Sequence, residues 1–172
     1  MKLMTIVRGF LAAVFLLSST ANAQTEEKLA TEGVNHIGLA VKNLEASAAF
    51  FTETLGWRQA GGDPEYPAIF VTDGKAFVTL WRVTDPDTAV AFNRKNNVGL
   101  HHLAFTVKSL KALHELHAKF LETEGVVIEF SPEYMGPGPT THMMIREPSG
   151  NRLEFVVPGG YVRAERERMK NQ

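Results

Sequence analysis

The 172-residue chain has no cysteine. That excludes a disulfide framework, a zinc finger, a thiol nucleophile and a lipoprotein anchor. It also has almost no charge imbalance, with 18 lysines and arginines against 19 aspartates and glutamates. Nucleic acid would find no basic stripe to follow. Disorder is excluded from the other direction, because 44% of the residues are hydrophobic and 22% are charged. The length suits one domain of ordinary size or two small repeats.

No long apolar run stands near the amino terminus. Gly9 to Leu17 (GFLAAVFLL) is about half of the ~20 residues that a membrane-spanning helix needs. Lys2 and Arg8 precede it, and Ser18-Ser19-Thr20 and Ala21-Asn22-Ala23 follow. A basic start, a short apolar centre and an A-x-A end predict a secretory signal over residues 1–23, cleaved after Ala23. The expected location is therefore the bacterial periplasm or the outside of the cell, with no membrane association after cleavage. The missing cysteines suit an oxidising compartment.

The remainder is written twice. Asn35 to Leu55 (NHIGLAVKNLEASAAFFTETL) aligns without a gap on His101 to Leu121 (HHLAFTVKSLKALHELHAKFL), at an offset of 66 residues that superposes His36 on His102. Both copies open on an alternating strand. Ile37, Leu39 and Val41, matched by Leu103, Phe105 and Val107, form a bulky face that wants a helix. His36, Gly38 and Ala40, matched by His102, Ala104 and Thr106, form a face with room for a cavity.

A helix follows each strand, with Leu44, Ala48, Phe51 and Leu55 in one and Leu110, Leu113, His117, Phe120 and Leu121 in the other. Asn43 and Ser109 are candidate N-caps, and Gly56 and Gly125 candidate ends. Three strands complete each half: 57–60, 68–72 and 76–83, then 126–130, 141–147 and 152–157. The expected domains are a first βαβββ module over 33–83, a linker over 84–98, a second module over 99–158, and a polar tail over 159–172 read as a solvated helix or frayed end.

The stretches His36-Ile37-Gly38-Leu39-Ala40-Val41, Phe50-Phe51 and Leu55-Gly56-Trp57 resemble the opening of a vicinal oxygen chelate module. His102-Leu103-Ala104-Phe105-Thr106-Val107 and Glu147-Pro148-Ser149-Gly150-Asn151-Arg152-Leu153-Glu154-Phe155 resemble the start and end of a second. That superfamily includes glyoxalase I, fosfomycin and bleomycin resistance proteins and extradiol dioxygenases. The resemblance implies an α+β fold in which two tandem modules form an incompletely closed eight-stranded barrel with helices outside.

It also implies metal ligands at His36, His102 and Glu154. Independently, Leu153 and Phe155 should face a helix, which turns Glu154 inward, and an inward carboxylate needs a partner or a metal. Two imidazoles and one carboxylate suit one divalent ion, Fe, Ni, Zn or Mn. The fourth family position falls on Thr79 (or Val78), where glyoxalase I carries a glutamate that is both ligand and base. The tyrosine of ring-cleaving relatives is replaced by Met144. Thr79, Trp81, His142 and Met144 are the expected substrate-pocket residues; no catalytic residue is assigned.

Three functions follow from the resemblance. The first is a metal-dependent, glyoxalase-like lyase or isomerase acting on a small substrate with vicinal oxygens, through a metal-stabilised enediolate or oxyanion. The second is an extradiol-type Fe(II) dioxygenase. The third is a metal-free, bleomycin-resistance-like ligand-binding protein. Many relatives share sites across subunits, so a homodimer is a further implication. Other motifs are weaker. His101 should point away from His102. His114-Glu115-Leu116-His117 places its histidines three apart, not the four of a helical metalloprotease motif.

Overall fold

The computed structural model describes residues 30–171; the expected signal segment lies outside them. Two four-stranded sheets are formed. The first contains β1 (Ile37–Val41), β2 (Arg58–Asp63), β3 (Ala68–Thr72) and β4 (Phe77–Arg82) in the order β1-β4-β3-β2, with β1 parallel to β4 and the other pairs antiparallel. The second repeats this with β5 (Leu103–Thr106), β6 (Val127–Tyr134), β7 (Thr141–Arg146) and β8 (Arg152–Val157), in the order β5-β8-β7-β6. A strand, helix and three strands in each half give the expected tandem βαβββ architecture. β1 and β5 each form one end of their sheet.

Alternation decides which side of each strand meets the helices. Leu39, Val41, Val78, Leu80 and Val71 are buried on one face of the first sheet, and Leu153, Phe155, Val157, Met143 and Ile145 on the matching face of the second. Helices α1 (Leu44–Ala49) and α2 (Leu110–Glu122) cover those faces. Asn43 and Ser109 cap them as expected, accepting from the backbone N–H groups of Ala46 and Ala112 at 3.0 and 3.1 Å. Gly56 and Gly125 follow the helices at φ +73° and +78°, a region closed to most side chains.

The first helix departs from a regular 3.6-residue period. After Ala49 it widens into a π turn, Phe50–Thr54, with the Leu55 N–H bonded to the Phe50 carbonyl. A regular helix would turn adjacent residues about 100° apart. The wider turn lets Phe50 and Phe51, 1% and 0% exposed, both enter the core. There Phe50 meets Phe120 at a ring distance of 5.6 Å, while Phe51 and Trp57 meet Phe105 of β5 at 6.4 and 5.3 Å. One aromatic core therefore serves both modules, and one buried cluster spans them.

A polar clasp joins them as well. Glu147, 1% exposed at the turn between β7 and β8, accepts from the Ser47 hydroxyl (2.6 Å), the Ser149 and Asn151 backbone N–H groups (3.0 and 2.9 Å) and the Asn151 side-chain amide (3.0 Å). Asn151 also donates to the Ala40 carbonyl of β1 at 2.9 Å.

The charged C-terminal stretch takes the helical form of the two expected, a solvated helix or a frayed end. It forms α3 (Gly159–Lys170), which buries Val162 completely. Its Glu165 accepts from the Leu110 backbone N–H at 2.9 Å, satisfying a free donor at the start of α2. A single buried valine among charges is too sparse a pattern to announce a docking face.

Candidate functional site

The faces turned away from the helices carry different chemistry in the two modules. In the first, His36, Phe77, Thr79 and Trp81 share a face with Phe70. Trp81 packs on Tyr66 and Phe70 with ring centroids at 5.1 and 5.6 Å, and Phe70 lies 6.2 Å from Phe77. The Trp81 indole N–H donates to the Thr79 hydroxyl at 2.9 Å. Part of the space expected beside the small residues of β1 is taken: a side chain at Gly38 would meet Thr79 Oγ1 at 3.4 Å and the Trp81 indole nitrogen at 3.6 Å. His36 is exposed, pairs through Nδ1 with Asn35 at 2.8 Å and lies edge-on to Phe77. This face is aromatic and carries no carboxylate from β1, β3 or β4.

The second module presents ions instead. Register sets Met144 opposite Glu154, His142 opposite Val156 and Arg146 opposite Arg152, all on one face. Glu154 is nearly buried, and its two oxygens take two imidazoles: His102 Nε2 at 3.1 Å and His142 Nδ1 at 2.5 Å. His142 stacks against Phe130 at a ring distance of 4.8 Å. The structure thus brings His102, Glu154 and His142 together, with Met144 beside them, while His36 and Thr79 belong to the other sheet.

His101 does not turn away from its neighbour as expected. Its Nδ1 lies 2.8 Å from Nδ1 of His102. One of these two nitrogens donates and the other accepts, so the two imidazoles share a hydrogen. Arg152 Nη1 also lies 3.5 Å from His101 Nδ1, too long to compete. Partial desolvation, with the charges of Arg152 and His102 close by, holds the His101 pKa below its ordinary value. The chain from His101 through His102 to Glu154 and His142 is an array of proton donors ending on one carboxylate.

Three arginines surround a further carboxylate, absent from the sequence-based candidates. Glu129 accepts from Arg146 Nε at 2.9 Å and Arg152 Nε at 2.7 Å, with Arg94 of the linker 4.0 Å away. Arg146 reaches the Phe92 carbonyl at 3.4 Å, tying the linker to the sheet. Two register shifts in the β6–β7 ladder, around Phe130, reset the alternation near Glu129, so residue parity cannot reveal the cluster. Desolvation raises the Glu129 pKa, but the Arg152 hydrogen bond and the charges of Arg152, Arg146 and Arg94 outweigh it and leave the value lowered.

Because the folded pKa is depressed, Glu129 contributes stability above the ordinary value of 4.5, lost as pH falls through the lower folded value. Glu129→Gln should therefore destabilise the protein at neutral pH. The gap to wild type should shrink on acidification, as read by denaturation midpoints at about pH 7 and about pH 3.5.

The metal that the family implies meets the right donor types on the second sheet but not an open set. Both Glu154 oxygens are engaged by imidazole nitrogens, and His36 is bound to its own neighbour. Among the described residues no three histidine, aspartate or glutamate side chains are disposed to hold a metal ion. The donors of this one chain do not fit the expected His36, His102 and Glu154 centre.

Known proteins agree with the architecture. A protein from Bacillus subtilis (strain 168), described as uncharacterized protein YwkD, is 34% identical over 103 residues, 55% of this chain and 77% of that protein. Two solved structures share the fold at lower identity. Lactoylglutathione lyase from Agrobacterium tumefaciens is 21% identical with a TM-score of 0.56, covering 74% of this chain and 96% of that one. The fosfomycin resistance protein FosX from Listeria monocytogenes is 16% identical with a TM-score of 0.58, covering 74% and 94%. The family model described as Glyoxalase/Bleomycin resistance protein/Dioxygenase superfamily matches residues 33–155. With both repeats inside that span and both sheets built to one plan, the chain belongs to the Glyoxalase/Bleomycin resistance protein/Dioxygenase superfamily.

Proposed function

We propose that the protein is a small-ligand-binding member of the superfamily that works without a resident metal, in the manner of its bleomycin-resistance branch. The observation that carries this reading is the engagement of both Glu154 oxygens by His102 and His142, with His36 apart from them. A carboxylate closed by two imidazoles is already satisfied. Its face offers hydrogen-bonding groups to a polar ligand, and the aromatic face of the other module offers Phe70, Phe77 and Trp81 to an apolar one.

A second reading, the metal-dependent lyase or isomerase, is favoured by one specific observation. Two imidazoles and a carboxylate within hydrogen-bonding reach are the donors that a divalent ion selects. His36 would have to come from elsewhere, and a homodimer is the arrangement that would supply it. The Fe(II) dioxygenase reading needs the same site plus a phenolic donor where Met144 stands. Secretion to the periplasm remains part of the proposal, resting on the composition of residues 1–23.

Elemental analysis decides between these readings, before and after reconstitution with Fe(II), Ni(II), Zn(II) and Mn(II). The expected result is well below one metal per chain, with no difference between wild type and Glu154→Ala. One equivalent of any of these metals, lost in Glu154→Ala, would overturn the proposal, and iron in particular would favour the dioxygenase.

A further inference from the structure

The arginine cluster is unbalanced. Glu129 supplies one negative charge to Arg94, Arg146 and Arg152, leaving two positive charges uncompensated in a chain whose formal charge is −1. Arg146 and Arg152 both engage Glu129 through Nε; Nη1 of Arg146 goes to the Phe92 carbonyl, Nη1 of Arg152 stands 3.5 Å from His101 Nδ1, and no hydrogen bond from Nη2 of either is found among the described residues. Arg152 is held in place, with its side chain only 7% exposed.

A recess of about 320 Å³ opens against Arg152 where β1, the end of the linker and the start of β8 meet. Gly38 and Ala40 form its small-residue wall, and Phe92 and Asn97 come from the linker. Lys42 stands on its rim and makes no ion pair among the described residues. The volume lies at the lower end of the range for small-molecule sites. No carboxylate side chain lines the recess.

Excess positive charge, a preorganised guanidinium and a cavity of ligand size occur together here. A basic or neutral ligand group would leave the arginines repelling one another, whereas an oxyanion relieves that repulsion and accepts from a planar fork. We propose that this recess holds the anionic group, a carboxylate or phosphoryl oxyanion, of the small molecule that the protein binds. Arg152 and Lys42 take the oxyanion, and Arg94 and Arg146 raise the local potential. The inference deepens the ligand-binding reading by assigning the ligand a charge.

The test is titration with inorganic phosphate and with oxalate at constant ionic strength, read by calorimetry and by melting temperature. Wild type, Lys42→Glu, Arg94→Gln and Glu154→Ala are compared after chelator treatment. Lys42 is exposed and makes no ion pair among the described residues, so Lys42→Glu should keep the wild-type melting temperature without anion, whereas Arg94→Gln removes one charge from beside Glu129 and should melt slightly lower. The expected result is saturable binding weakened about fivefold or more in Arg94→Gln, abolished in Lys42→Glu and retained in Glu154→Ala. Absence of saturable binding overturns the proposal, as does equal affinity in all four proteins. Loss in Glu154→Ala alone also overturns it, by assigning the anion to the histidine face. Retention in Glu154→Ala supports the anion site even if metal analysis rejects the metal-free reading, so the two failures are distinguishable.

Discussion

Glu147→Ala is expected to lower stability by about 3 kcal/mol or more, and the melting temperature by roughly 10 °C. The change removes one acceptor from four hydrogen bonds at once. The Ser149 and Asn151 backbone N–H groups lose this acceptor, the Ser47 hydroxyl keeps only Ser149 Oγ and the Asn151 amide keeps only the Ala40 carbonyl, around a carboxylate and a serine that are themselves buried. An unsatisfied buried donor costs about 1–3 kcal/mol. Ser47→Ala removes a single donor and should cost about 1 kcal/mol, so the ratio between the variants separates the clasp from general sensitivity at this turn. Thermal and urea denaturation of both variants measure it. A loss below about 1 kcal/mol for Glu147→Ala would show that water enters the clasp freely.

Phe120→Ala should cost about 3–5 kcal/mol. Its ring is 1% exposed and contacts Phe50 of the first module at 5.6 Å and Phe155 of its own at 5.0 Å. The cavity would thus open between the modules and not inside one of them. Because the core is shared, wild type and variant should each unfold in one transition. Urea denaturation followed by tryptophan fluorescence and by far-ultraviolet circular dichroism checks this, since Trp57 and Trp81 both report on the first module. Coincident curves support a single cooperative unit; a first-module signal that melts earlier would show two independent ones.

The fold was legible where side chains repeat with a clear period. Ala68–Thr72 and Arg152–Val157 are strands at the bounds read from alternation, and the Asn43 and Ser109 caps were plain from residue type. The π turn was hidden because Phe50 and Phe51 are both apolar, and a helical period assigns only one of them to the core. The docking of helix α3 was hidden because a lone valine and one capping glutamate hold it. For the site, strand parity put His102, Glu154 and His142 on one face of the second sheet. Parity says nothing about how far His36 lies from them, since that depends on how two sheets meet. Glu129 lay beyond reach for another reason: a register shift erases parity, and its arginine partners come from three separate segments.

The clasp at Glu147 also bears on the order in which the chain acquires structure. Its contacts bridge residues 100 to 111 positions apart, from Ser47, Asn43 and Ala40 to Glu147, Ser149 and Asn151. Contacts of such separation form late, after the loop between them has been closed at an entropic cost. The start of the first helix therefore waits for a turn 100 residues further along the chain. Until the turn before β8 is available, β1 and α1 carry unpaired polar groups beside an aromatic surface meant for the second module. A ribosome-bound chain ending before residue 147 should be open to proteolysis in its first module and should become resistant only when the second closes over it.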